Sequence, residues 1–269
     1  MTPAAVTAPP KATSQNNGLA PGAALVLATI TTGQAGEACS PGGLASLLGA
    51  GLTGTPTEGS GSLPLPTQLA GVRVLVNGVP AHLLLASDSQ INFQCPALPQ
   101  GTAMQFQVES TNGVLTPPLQ AVMQAAVPVL FQMDASGRGL VTITGTGEIA
   151  MAAADGIPSR PALRGENLTI HTSGLGEVVD GVAAGTAAPL NRRVPTKNQV
   201  KMVLGDIEIE PEFAGLAPGT VGIYQVDAEV PSGAPAGVTI PLYLKITLAD
   251  GTIVRSNIVT MAIGDATKN

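Results

Sequence analysis

A seven-residue pattern occurs twice in this chain and limits its fold more than any other feature. Gln225-Val226-Asp227-Ala228-Glu229-Val230-Pro231 repeats the form of Gln90-Ile91-Asn92-Phe93-Gln94-Cys95-Pro96. In each copy Gln opens a run of alternating apolar and polar residues, the period of a β-strand with one buried face. Proline ends the run, because it has no N–H to give to a ladder. A second landmark keeps the same order. Pro41 to Leu52 aligns without a gap on Arg164 to Leu175, so that Gly42 matches Gly165, Leu47 matches Ile170 and Gly51-Leu52 matches Gly174-Leu175. Two matched landmarks in one order predict a tandem pair of similar modules.

Length agrees with that count, since 269 residues give each of two domains enough chain to bury its own core. Gly (33) and Pro (23) make up about a fifth of the residues and only 11% are charged, which suits short strands joined by turns and argues against long helices. The fold class expected is all-β: two tandem β-sandwiches behind a flexible leader. A net charge of −6 with no run of Lys or Arg argues against nucleic acid, whose affinity comes from clustered cations on phosphates. No stretch of about eighteen apolar residues predicts a membrane span. The longest apolar run, Ala23 to Ile30, has the length of a strand. Gly36-Glu37-Ala38-Cys39 matches a lipoprotein cleavage box only in its last two residues, which argues against lipidation.

Residues 1–22 have a linker's composition and read as a flexible leader or docking segment. Residues 23–126 form the first module. Within it Asn77-Gly78 lies between two apolar runs and predicts a tight hairpin, as does Asn112-Gly113 further on. Residues 127–162 read as a β-hairpin connector, stiffened at its exit by Pro158 and Pro161. Residues 163–269 form the second module, with turns expected at Gly205-Asp206 and Asp250-Gly251. Cys39 and Cys95, the two cysteines, fall within one module. They are compatible with a disulfide formed outside the cytoplasm, against the alternative of two buried thiols.

Several of these stretches carry a family resemblance: Pro41-Gly42-Gly43 through Gly51-Leu52, Gly78-Val79-Pro80-Ala81, Gln90-Ile91-Asn92, Gly174-Leu175-Gly176, Gly215-Leu216-Ala217-Pro218-Gly219 and Gly222-Ile223-Tyr224-Gln225. From about Ala23 onward the chain resembles the uncharacterised C-terminal domain expanded in Solibacter and other acidobacteria. The resemblance implies tandem immunoglobulin-like folds of the IPT/TIG type at the end of secreted or surface proteins. It implies no catalytic residues, because that family has no assigned activity. His82, His171 and the cysteine pair depart from its pattern.

Motifs of the kinds that carry chemistry have plainer readings beside them. Gly145-Thr146-Gly147-Glu148-Ile149-Ala150 fits a dinucleotide-binding turn, yet Asp155 to Pro158 would end any helix at once, and a hairpin turn is expected. Asp206, Glu208, Glu210 and Glu212 alternate along one strand face and would spread their oxygens too widely for calcium, so a charged, solvated edge is expected. His82 and His171 sit in different modules with no nucleophile beside them, and Ser60 lacks a complete nucleophile elbow. Each histidine reads as a satisfied sheet residue. With no Trp, and with Phe93, Phe106, Phe131, Phe213, Tyr224 and Tyr243 mostly in alternating strands, open aromatic platforms for sugars are not expected. No cofactor or metal is implied. The expectation is a non-catalytic extracellular or cell-surface protein of structural or adhesive role, working through protein partners. In its sharper form it self-assembles into a homo-oligomer or filament through thinly protected sheet edges. The alternative is a polysaccharide-binding accessory module.

Overall fold

The computed structural model describes residues 26–31 and 39–265, so the leader expected at 1–22 lies outside the described residues. The first module contributes nine strands: β1 (Val26–Thr31), β2 (Leu44–Ala50), β3 (Glu58–Gly59), β4 (Arg73–Val76), β5 (Val79–Pro80), β6 (Leu83–Ala86), β7 (Gln90–Gln94), β8 (Ala103–Glu109) and β9 (Leu119–Val122). They form two antiparallel sheets, ordered β1-β2-β7-β6-β3 and β5-β4-β8-β9. Alternation decides which residues lie between the sheets. In β8, Met104, Phe106 and Val108 point inward, and with Leu47, Ile91, Phe93 and Val74 they make a core from which water is excluded. Phe93 and Phe106 meet there at 5.9 Å with planes tilted by 55°.

The remaining strands are β10 (Val129–Leu130), β11 (Val141–Ile143), β12 (Ile149–Ala150), β13 (Ser159–Arg160), β14 (Asn167–Ser173), β15 (Val194–Pro195), β16 (Gln199–Leu204), β17 (Ile207–Ile209), β18 (Phe213–Leu216), β19 (Tyr224–Glu229), β20 (Gly237–Thr247), β21 (Ile253–Arg255) and β22 (Val259–Ile263). One sheet runs β13-β12-β11-β14-β19-β18-β15, with β10 also on β14. The other runs β17-β16-β20-β21, with β22 also on β20. The chain is thus two β-sandwiches of immunoglobulin-like kind in tandem.

Register tests the duplication residue by residue. β2 and β7 pair with Leu47 opposite Ile91 and Leu44 opposite Gln94, while β14 and β19 pair with Ile170 opposite Val226 and Asn167 opposite Glu229. These are the pairs that the two sequence alignments superpose. A slip of one residue in either module would have turned every core side chain outward.

Residues 127–162, read from sequence as a connector, differ from that expectation. Their strands β10 to β13 belong to the second module's sheet, and Leu130, Val141, Ile143, Ala150 and Ala162 lie in its core beside Leu168 and Val226. The last strand, β22, closes back on the same stretch through parallel bridges Arg138↔Thr260 and Ala162↔Ile263. Burying those five apolar side chains outweighs the local turn signals that suggested a free hairpin.

The hairpins fall where Gly and Asn predicted them. Asn77 (φ 51°) and Gly78 (φ 78°) form the two-residue loop between β4 and β5, and Gly205-Asp206 joins β16 to β17. Gly145 to Glu148 is the turn of the β11–β12 hairpin, not the mouth of a helix.

Five of the strands at sheet ends, β3, β5, β13, β15 and β17, are better guarded than the composition suggests. β3, β5, β13 and β15 are two residues long. Pro80 and Pro195 lie within two of them, Pro158 and Pro161 flank the third, and Glu210-Pro211 follows β17. Short edges with prolines give an incoming strand few partners. The guards are single residues at single positions, invisible in an average over the chain.

Candidate interaction surfaces and the module junction

The repeated strand carries a repeated polar tie. In the first module Ser46 Oγ donates to Asn92 Oδ1 (2.7 Å), which also accepts from Gln90 Nε2 (2.7 Å). At the matching positions of the second, Thr169 Oγ1 donates to Asp227 Oδ1 (3.0 Å), and Gln225 Nε2 donates to both oxygens of that carboxylate (3.1 and 2.9 Å). These residues lie on the outer face of each sheet, opposite the core. The second copy is extended. Arg193 sits 3.6 Å from Asp227 and stacks 4.7 Å above the Phe213 ring, which is 8% exposed. The Asp227 carboxylate is thus taken up by internal donors.

Between the modules a second set of hydrogen bonds forms a clasp with two points of contact. At one, Leu44 N donates to Ser173 Oγ (2.9 Å), whose hydroxyl donates to Gly222 O (3.0 Å). Beside it Tyr224 Oη, which donates to Gly176 O of its own module (2.7 Å), lies 3.3 Å from Pro41 O of the first module. Burial pushes the Tyr224 phenol up from its ordinary value, so the hydroxyl keeps its proton. At the other point Gly185 N donates to Gln94 Oε1 (2.7 Å), and Leu65 N donates to Gly185 O (2.8 Å). His82 Nδ1 lies 2.7 Å from Leu65 O; a carbonyl only accepts, so that nitrogen bears the proton. Glycine is required along this contact. A Cβ on Gly174 would stand 1.9 Å from Val127 O, and one on Gly222 would stand 2.5 Å from the Leu44 side chain.

Cys39 and Cys95 form a disulfide, buried at 0% and 2% exposure. Of the other residues singled out in the sequence, Glu208 pairs with Lys245 and lies 3.5 Å from Lys201, two lysines that are themselves cross-strand partners. The Lys245 hydrogen bond holds the Glu208 carboxyl below its usual range. Ser60 donates to Ser62 O on an exposed loop. His171 departs from expectation. It lies in β14 opposite Gln225, and its Nδ1 is buried with no partner. Desolvation lowers its pKa, against the opposing pull of Asp227. A shallow recess at Thr55, Thr57, Glu58 and Thr111 offers one carboxylate, already accepting from Ala70 N (2.8 Å). Phe93, Phe106 and Tyr224 are in the cores, while Arg193 covers Phe213 and Arg255 lies 5.8 Å over Tyr243. The clasp had no sequence signal, because its crossing bonds use backbone groups whose partners lie 91 to 183 residues away.

No family model matches the chain, and no curated protein matches it. Solved structures do. A protein of the mixed-linkage glucan utilization locus of Bacteroides ovatus, in complex with a mixed-linkage heptasaccharide, is similar over 84% of this chain and 42% of its own, at 10% identity and TM-score 0.33. The BSP domain of a biofilm-associated protein is similar over 84% of this chain and 28% of its own, at 12% identity and TM-score 0.29. The titin immunoglobulin tandem A164-A165 is similar over 84% and 91%, at 10% identity and TM-score 0.23. The chain spans less than half the length of the first two. At these identities no residue of this chain takes a role from them.

Proposed function

We propose that this chain is a non-catalytic structural or adhesion component that acts through protein contacts as a two-module body of fixed shape. The clasp between the modules carries the reading. A chain that joins two sandwiches through the Leu44–Ser173, Gly185–Gln94 and Leu65–Gly185 hydrogen bonds is built to keep a geometry. The buried disulfide supports a location outside the cytoplasm, in the extracellular space or at the cell surface. So does the sequence resemblance to the acidobacterial C-terminal domain of IPT/TIG type. Assembly of copies into a filament or matrix is the sharper form of the reading, and the guarded edges direct it away from β3, β5, β13, β15 and β17.

Fractionation of producing cells, with alkylation of the cysteines before and after reduction, tests location. Size-exclusion chromatography with light scattering and electron microscopy test association. The expected result is a surface or secreted protein whose cysteines resist alkylation until reduced, and which forms assemblies or binds a surface protein saturably. A strictly monomeric protein without partners would count against the proposal. Binding on a glycan array, with no protein partner, would replace it by the polysaccharide-binding alternative.

A further inference from the structure

We infer that the arch from Pro189 to Arg193 is a processing site: an endoprotease that cuts after arginine hydrolyses the Arg192–Arg193 bond of the folded chain, which stays one body afterwards. The arch belongs to the irregular stretch between β14 and β15. Both its feet are fixed. At one, Ala188 N donates to Thr220 O and Gly219 N donates to Ala188 O, each at 2.8 Å. At the other, Val194 opens β15 and is 1% exposed. Between them Leu190 to Arg193 are exposed, Leu190 by 82%, and among the described residues no backbone hydrogen bond reaches Pro189 to Arg193. A protease draws an unpaired run of backbone into its cleft, and this arch supplies one without unfolding the module.

The other described basic residues lack that freedom. Arg73, Arg160, Lys201, Lys245 and Arg255 lie inside paired strands. The amides that follow Arg138 and Arg164 are tied down, Gly139 N to Thr260 O (2.9 Å) and Gly165 N to Val230 O (2.8 Å), and Lys197 N donates to Glu177 O (2.8 Å). Within the arch the two arginines also differ. Cutting after Arg193 requires Val194 to leave the core, whereas the Arg192–Arg193 bond has exposed residues on both sides.

Hydrolysis adds one water across the amide and leaves a carboxylate on Arg192 and an ammonium group on Arg193. The pieces 1–192 and 193–269 do not part, because the cut falls beside the sheet and not through a ladder. β14 of the first piece pairs with β19 of the second from Asn167↔Glu229 to Thr172↔Tyr224. Leu130, Val141 and Ile170 share one core with Val194, Val226 and Leu244. What changes is the loop. Its part seated on the first module through Gly185 is released from the part that Arg193 holds on Asp227 and Phe213.

Limited digestion of the full chain with trypsin, which cuts after Arg and Lys, tests this by fragment mass and by size-exclusion chromatography without denaturant. Within residues 39–265 the first cut is expected after Arg192, and the cut protein is expected to elute with the intact one. Arg192→Gln, with an unchanged thermal midpoint, is expected to slow cutting of that stretch by at least about tenfold, since the bond after Arg193 waits on withdrawal of Val194. A first cut after any other described Arg or Lys would overturn the inference. So would a rate that Arg192→Gln leaves unchanged, or separate elution of the two pieces.

Discussion

Replacing Tyr224 with Phe isolates one hydroxyl of the second module beside the clasp. The ring is 1% exposed, packs in the second module's core and stays in place, so the change removes a donor and leaves the apolar burial intact. A phenol has one proton. At 2.7 Å the Gly176 carbonyl takes it, and at 3.3 Å the Pro41 carbonyl gains a weak contact at best. The loss is one buried hydrogen bond plus the cost of leaving Gly176 O without its partner, about 1–3 kcal/mol, and we take about 2. At roughly 2–4 °C per kcal/mol for a unit of this size, that is a fall of about 4–8 °C in the unfolding midpoint, if both modules melt together. Scanning calorimetry measures it, and urea titration with probes in each module shows whether one transition or two moves. A change smaller than about 0.5 kcal/mol, the size of an ordinary surface substitution, would refute the assignment of this hydroxyl's proton to the Gly176 carbonyl.

Three further outcomes are expected. His171→Leu places at β14 the residue that Leu48 supplies at the matching position of β2. Because burial depresses the histidine's pKa in the folded state, wild-type stability is full above its unfolded value of about 6.5 and falls as pH drops through it. The variant's advantage should therefore grow between pH 7 and pH 5 in paired urea titrations, and an unchanged difference would sink the assignment. Gly174→Ala and Gly147→Ala both put a side chain at positive φ. Gly147 has open space around it, whereas Gly174 faces Val127 O at 1.9 Å, so the first should cost at least twice the roughly 1–2 kcal/mol of the second by thermal denaturation. Glu208→Val unguards β17 without touching a core, and should raise light scattering on heating at moderate salt while leaving the midpoint nearly unchanged.

The pattern around Gln90 and Gln225 made the sandwich pairs legible, because strand register is written in alternation and both copies had to obey it. The hairpins at Asn77-Gly78 and Gly205-Asp206 were legible for a local reason, the positive φ those turns demand. The stretch from Val127 to Ala162 misled for the converse reason: its turn residues speak for hairpins, and which sheet a hairpin joins depends on contacts far away in sequence. The clasp is the extreme case, since Ser173 meets Leu44 across 129 residues through a backbone N–H that every residue but proline possesses. His171 gave no hint that its Nδ1 would be left without a partner.

The Cys39–Cys95 bridge spans a sequence separation of 56 and encloses β2 to β7. Were the polypeptide stretched from its two ends, those residues would withhold about 190 Å of slack, at roughly 3.4 Å for each residue drawn straight. As an oxidised tether the first module has a short maximum length, and the bulk of the chain's extensibility resides in the second.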